Sequence, residues 1–169
     1  LLTLEKRITR NAQLRVKYSD EPSKFLESEV DLDDAIKGLG LCAAAPEFYG
    51  EFARLGGVAS VVGLLAHENP DVAASAVALL FDLTDADDAV DDEALKGHQA
   101  FVKALVTCEG LETLAQSLER FGAATAYTEY REKIRTVYGE IETTEDYNAL
   151  CDQAGLPDLK KEIADDEDD

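Results

Sequence analysis

Carboxylates are the most abundant side chains in this sequence that could do chemistry. The 169 residues include 36 Asp and Glu against 16 Lys and Arg, which gives a formal net charge of -20. An acidic run lies between residues 82 and 93, where seven of twelve positions (82, 85, 87, 88, 91, 92 and 93) are Asp or Glu. A surface of this charge attracts basic peptides and repels nucleic acid and anionic membranes. The alternative interpretation is that the acids only keep a helical protein soluble.

Residues 85–93 also raise the question of a calcium site, because Ca²⁺ prefers carboxylate ligands. The segment lacks the invariant glycine and the terminal glutamate that an EF-hand places at fixed positions. We therefore expect no metal ion and no cofactor.

The sequence offers little for catalysis. His67 and His98 are the only histidines, neither has a known ligand spacing around it, and His67 ends a predicted helix, where a positive charge is favoured. No G-x-S-x-G motif and no Cys/His pairing is present. The cysteines lie in apolar helical settings without a CxxC partner, which predicts reduced core residues of an intracellular protein: Cys42, Cys108 and Cys151. We predict a protein without enzymatic activity.

Glycine-anchored helix pairs occur three times along the chain. Gly57, Gly110 and Gly155 are each followed by apolar residues one, four and eight positions later, the spacing of one helix face. These glycines lie 53 and then 45 residues apart, slightly more than the roughly 40 to 47 residues of armadillo or HEAT repeats. The repetition predicts an array of stacked helices, with one helix before each glycine and one after it.

Two segments precede the first full unit. Residues 1–18 predict a basic amphipathic helix, which either docks as a cap on the acidic body or presents a surface to a partner. Residues 19–22 predict a helix start with a capping side chain before a proline, and residues 31–34 would open a further short helix. Three apolar residues of the first of these helices would face inward: Phe25, Leu26 and Val30.

Two three-helix units follow. The third helix of the first unit has Asn69 as its cap, Pro70 in its first turn and a broad apolar stripe. The acidic residues 85–93 would connect this unit to the next. The predicted helices are residues 47–54, 58–66 and 71–85 in the first unit, and residues 97–107, 110–121 and 127–141 in the second.

The predicted organisation is a cap, two full repeats and part of a third. The segments are residues 1–44 (cap), 45–93, 94–143 and 144–163 (repeats), and 164–169, an acidic tail expected to be disordered. Because the chain begins with leucine and contains no methionine, we expect it to be the interior of a longer polypeptide. The edge of its last unit would then contact further repeats, a partner or a second copy of the chain.

Two sets of residues carry a resemblance to known proteins. Residues 53–65 together with 69–72 and 78–84 resemble an armadillo repeat. The preceding motifs are more specific, and they resemble the N-terminal part of the beta-catenin-like protein 1 family: residues 2–7, 14–18, 22–29, 31–34 and 46–49. The resemblance implies an all-α, armadillo-type right-handed α-solenoid with an N-terminal helical cap. It also implies a nuclear, non-enzymatic scaffold that associates with the pre-mRNA splicing machinery and recognises basic localisation-type segments of its partners.

The third helix of an armadillo repeat lines the concave groove and places a polar residue before its last apolar one. Asp82 and Glu140 occupy this position here. Carboxylates accept hydrogen bonds but cannot donate them, so they suit Lys and Arg side chains better than peptide carbonyls. We therefore predict that Asp82, Asp85 and Glu140, with Asp87 and Asp88 nearby, bind a basic segment. The alternative is a solvated helix face, because exposed ion pairs contribute only about 0 to 1 kcal/mol each.

Two other functions remain open from the sequence. One is an armadillo-type chaperone cofactor or transport adaptor that acts in the cytoplasm on a folded partner domain. The other is a structural subunit whose last repeat is buried in a large assembly, in which case the isolated chain would self-associate.

Overall fold

The computed structural model describes residues 1–85, 91–121 and 128–143, and this part of the chain contains helices and no β-strand. The predicted all-α class is therefore confirmed, while the predicted partial repeat 144–163 and the acidic tail 164–169 lie outside the described residues. The α-helices are α1 (Leu2–Lys17), α2 (Leu26–Leu39), α3 (Tyr49–Arg54), α4 (Gly57–Leu65), α5 (Pro70–Thr84), α6 (Asp92–Thr107), α7 (Gly110–Phe121) and α8 (Thr128–Thr143). Short 3₁₀ helices span Pro22–Lys24, Gly40–Ala44 and Pro46–Phe48.

The helices stack in layers that repeat along the chain. Helix α3 packs on α6, α4 packs on α7, and α5 lies between α2 and α8. The triplet α3, α4 and α5 is thus repeated by α6, α7 and α8, and the pair α1 and α2 precedes them. This arrangement is that of an armadillo-type α-solenoid.

Helix α5 is the central helix of the row formed by α2, α5 and α8. It begins as its sequence predicts, because the Asn69 side chain accepts a hydrogen bond of 2.9 Å from the Asp71 N–H and Pro70 takes the first helical position. Its predicted apolar stripe is buried: Val72, Ala76, Leu79, Leu80 and Leu83. The stripe fixes which face of α5 points into the core and which remains available to solvent.

The turns between helices show why glycine is favoured there. Gly56, between α3 and α4, has a φ of 80°, which is a left-handed conformation that glycine adopts without a steric penalty. The corresponding turn between α6 and α7 has Glu109 at φ 57°. The break between helices that was predicted beside Gly57 is therefore confirmed, and the second unit makes the same turn with a glutamate.

The prediction for α2 was wrong in three respects, although Phe25, which precedes the helix, is buried as predicted. Residues 26–39 form one helix rather than two, and the preceding residues form a 3₁₀ turn without a side-chain cap. Leu26 and Val30 are 57% and 54% exposed, whereas Ser28 and Glu29 are buried with Leu32 and Ile36. The polar pair is tolerated inside because each has a partner, Asn11 for Ser28 and Asn69 for Glu29, both at 2.9 Å.

Helix α6 begins earlier than predicted. Its cap is Asp91, whose carboxylate accepts hydrogen bonds from the N–H groups of Glu93 (3.0 Å) and Ala94 (2.9 Å). The last three acids of the 85–93 segment therefore belong to the cap and first turn of a helix, where negative charge is favoured, rather than to a connection. Residues 86–90 lie outside the described residues.

Helix α1 docks on the acidic body, as the first of its two interpretations expects. Arg7 donates to the carbonyl oxygen of Asp31, and Arg10 pairs with the carboxylate of the same residue at 2.7 Å. Arg15 pairs with Glu29 of α2 and with Glu68, which precedes α5. The basic face is thus used to join α1 to the helices that follow it.

His67 was expected to favour a positive charge, and the structure shows the opposite. Its Nδ1 accepts from the Asn69 N–H (3.1 Å), and its Nε2 lies 3.0 Å from Asn11 Oδ1, so the neutral ring with its proton on Nε2 satisfies both contacts. Burial lowers the pKa of His67 below its ordinary value of 6.5, and the Arg15 charge acts in the same direction. The Asn69 carbonyl and the carboxylates of Glu29 and Glu68 oppose this shift, but the loss of hydration is the larger effect.

This geometry predicts a pH dependence of stability. The unfolded chain takes up a proton at His67 near pH 6.5, whereas the folded chain does so only at lower pH. The contribution of His67 is therefore complete above about pH 6.5 and is lost as the pH falls through the folded pKa. Chemical denaturation between about pH 8 and 5 should show a smaller loss of stability for His67→Gln than for the unchanged chain. Equal losses in the two proteins would contradict the prediction.

Candidate partner-binding site

The row of α2, α5 and α8 carries the acids predicted to bind a partner. Asp82 and Asp85 are both exposed, at the C-terminal end of α5. The last turn of α5 contains no basic residue, so the two carboxylates add to the negative end of the helix dipole. This end of the helix therefore favours a cationic group more strongly than two isolated carboxylates would.

The other three predicted residues are less completely described. Asp87 and Asp88 lie outside the described residues. Glu140 lies near the C-terminal end of α8, which packs along α5, and its side chain is also outside the described part. Their role in binding therefore stays a prediction.

Two lysines of the same row were missed by the sequence analysis. The Nζ of Lys133, on α8, lies 4.4 Å from the ring centre of Phe81, on α5, and 3.6 Å from a carboxylate oxygen of Glu129. Lys37, on α2, pairs with Asp33 at 2.6 Å, and that hydrogen bond raises the pKa of Lys37. The contact of Lys133 depends on how α8 is aligned along α5, which no pattern within one helix reveals.

A second concave region lies between α1 and α4. It is a groove of about 510 Å³ with apolar residues such as Ile8, Ala12 and Leu64 in its walls. Its polar groups are already engaged, since Ser60 donates to Glu5 and His67 contacts Asn11. The end of α5 has two exposed carboxylates and no basic residue in its last turn, so it is the better candidate for binding a basic partner.

Metal binding and membrane insertion find no support in the described ranges 1–85, 91–121 and 128–143. Within them, no three His, Cys, Asp or Glu side chains come together in a group that could hold a metal ion. None of the helices there is long and apolar enough to cross a membrane. Cys42 and Cys108 are partly buried free thiols, and burial raises the pKa of Cys108, while Cys151 lies outside these ranges.

Comparison with known proteins identifies the family. The family described as "Catenin-beta-like, Arm-motif containing nuclear" matches residues 1–156. The chain belongs to this catenin-beta-like family. Its similarity to human beta-catenin-like protein 1 is 42% identity over 120 residues, which is 71% of this chain and 21% of that protein. The homolog from Schizosaccharomyces pombe is 36% identical over 121 residues, with 72% and 21% covered.

The catenin-beta-like family defines the kind of protein to which this chain belongs. It is an armadillo-type protein of a family described as nuclear, and stacked repeats of this kind serve as scaffolds for protein–protein interaction rather than as enzymes. The chain spans about a fifth of the length of the curated relatives it matches. The resemblance to the beta-catenin-like protein 1 family, which motifs within residues 2–49 indicated, is thereby confirmed.

Proposed function

We propose that this catenin-beta-like chain is part of a nuclear scaffold that associates with the pre-mRNA splicing machinery and recognises basic localisation-type segments of splicing factors. The observation that supports the proposal most directly is the exposure of Asp82 and Asp85 together at the C-terminal end of α5. In armadillo repeats, the third helix of each unit lines the groove that holds a partner segment, and α5 is such a helix.

The chemistry of this surface selects for Lys and Arg. Carboxylates offer acceptors only, and charge-assisted hydrogen bonds to ammonium or guanidinium groups are stronger than those to neutral donors. The net charge of -20 adds a long-range attraction that speeds the approach of a basic segment. The proposed binding residues are Asp82, Asp85 and Glu140, with Asp87 and Asp88 nearby.

A basic localisation-type peptide should bind the chain with an affinity that falls as salt is added. The double variant Asp82→Asn with Asp85→Asn should weaken binding about fivefold, since two exposed ion pairs contribute about 0.5 kcal/mol each. Adding Glu140→Gln tests the third predicted carboxylate in the same way. Isothermal titration or fluorescence anisotropy measures each affinity.

The matched control removes two exposed carboxylates elsewhere. Asp20, in the turn after α1, and Glu27, in the first turn of α2, are both exposed. Asp20→Asn with Glu27→Gln changes the net charge by the same amount, so it should leave the affinity within a factor of about two if binding is local. Equal losses in the two double variants, or binding that does not respond to salt, would reject the site.

The cellular part of the proposal is tested separately. Nuclear localisation of the full-length protein and co-purification with splicing factors are expected. A cytoplasmic protein that instead captures folded partner domains would be a chaperone cofactor or transport adaptor. A structural subunit would self-associate, which light scattering of the purified chain detects.

A further inference from the structure

One lysine in the row of α2, α5 and α8 already contacts an aromatic ring near the acidic end of α5. Lys133 extends from α8 to α5 and places its ammonium group 4.4 Å from the ring centre of Phe81. A distance below about 6 Å is that of a cation–π contact. The aromatic ring next to Asp82 is thus covered by the kind of group that the proposed partner would bring.

Phe81 is well placed to receive such a group from outside. It is only half-buried, and it directly precedes the exposed Asp82 near the end of α5. Asp85 follows Phe81 by four residues, about one helical turn. A cationic side chain on the ring would therefore have an aromatic face beneath it and the Asp85 carboxylate about one turn further along the same side of α5.

Lys133 also has a second ionic partner, on its own helix. Glu129 lies one turn earlier on α8, is largely exposed, and has a carboxylate oxygen 3.6 Å from the Lys133 ammonium. An i, i+4 ion pair of this kind persists on a helix surface without a third group. Displacement of Lys133 from Phe81 thus leaves its charge paired, and it costs the cation–π contact together with the packing of a side chain that is 22% exposed.

We propose that Phe81 is the seat for a Lys or Arg side chain of the incoming basic segment, and that Lys133 occupies this seat until the segment displaces it. The inference rests on the proposed function and names a position within that site. A guanidinium group stacks on an aromatic ring and forms two parallel hydrogen bonds to a carboxylate, whereas an ammonium group acts as a point charge. The seat therefore prefers arginine to lysine.

Binding of an arginine-rich peptide and of its lysine counterpart of equal length tests this inference. Lys133→Gln removes the competing ammonium group and should tighten binding about two- to fivefold, the worth of one exposed cation–π contact. Phe81→Leu keeps the apolar bulk but removes the ring, and it should weaken binding by a similar factor. It should also abolish the preference for the arginine-rich peptide. Phe81→Tyr keeps an aromatic face and should restore both.

A matched variant separates the local effect from the change in net charge. Lys96 is an exposed lysine on α6, so Lys96→Gln makes the chain more acidic by the same amount without uncovering Phe81. Equal affinities of Lys133→Gln and Lys96→Gln would overturn the inference, as would unchanged binding by Phe81→Leu. If Phe81→Leu binds as tightly as the unchanged chain while the Asp82 and Asp85 double variant binds more weakly, the role of Phe81 is rejected and the proposed function stands. If neither the unchanged chain nor any variant binds either peptide, both the role of Phe81 and the proposed function are rejected.

Discussion

Replacing Arg15 by methionine should lower the free energy of unfolding by about 2 to 3 kcal/mol, because it leaves a mostly buried carboxylate without its cation. The Arg15 and Glu29 side chains are 20% and 8% exposed, and the guanidinium group also contacts Glu68 and the ring of Phe25 at 4.8 Å. After the substitution, the Asn69 side-chain amide is the one group among the described residues that still donates a hydrogen bond to the Glu29 carboxylate. Removing one partner of a fully buried ion pair costs about 3 to 5 kcal/mol. Because Arg15 is partly exposed, we expect a smaller loss here.

The same substitution at Arg10 provides the comparison. Arg10 is on the same helix and pairs with Asp31 at 2.7 Å, but the two side chains are 54% and 34% exposed. Arg10→Met should therefore cost less than about 1 kcal/mol. Urea denaturation of the two variants measures the difference. If both lose the same stability, the burial of the Arg15 pair does not decide how strongly α1 is held.

Helix positions could be predicted from the sequence where local rules decide them. The bounds of α4, α5 and α7 agree with the predicted ranges within one residue, because apolar spacing and the Asn69 cap are properties of a single helix. The prediction was wrong where a distant partner decides. Ser28 and Glu29 face the core since Asn11 and Asn69 satisfy them, and no rule within α2 could show this.

The candidate site divides in the same way. The exposure of Asp82 and Asp85 follows from the apolar stripe on the other face of α5, so it was predictable. The contact of Lys133 with Phe81 depends on how two stacked helices are aligned. The neutral state of the His67 ring depends on contacts from α1 and from the turn before α5. Tertiary contacts of this kind decide which charges are already occupied, and therefore what a partner must displace.

Gly97→Ala should lower the free energy of unfolding by about 2 kcal/mol, although alanine is the better helix former by about 1 kcal/mol. Gly97 lies in α6, where that helix crosses the 3₁₀ helix Pro46–Phe48. A Cβ atom at this position would lie 2.1 Å from the carbonyl oxygen of Pro46 and 3.1 Å from its carbonyl carbon. Both are backbone atoms, which cannot move aside as the end of a flexible side chain can, so the first and second units would have to separate.

Gly63→Ala is the matched variant, and it should change stability in the opposite direction. Gly63 is exposed on α4, and apart from its chain neighbours and the backbone of its own helix no heavy atom of the described residues lies within 4 Å of the position that its Cβ would take. With no clash to offset the gain in helix propensity, the substitution should raise the free energy of unfolding by about 0.5 to 1 kcal/mol. Thermal and urea denaturation of the two variants compare the same chemical change with and without a backbone neighbour. A stabilising Gly97→Ala would show that α6 and residues 46–48 do not approach as closely as the stacking of the two units requires.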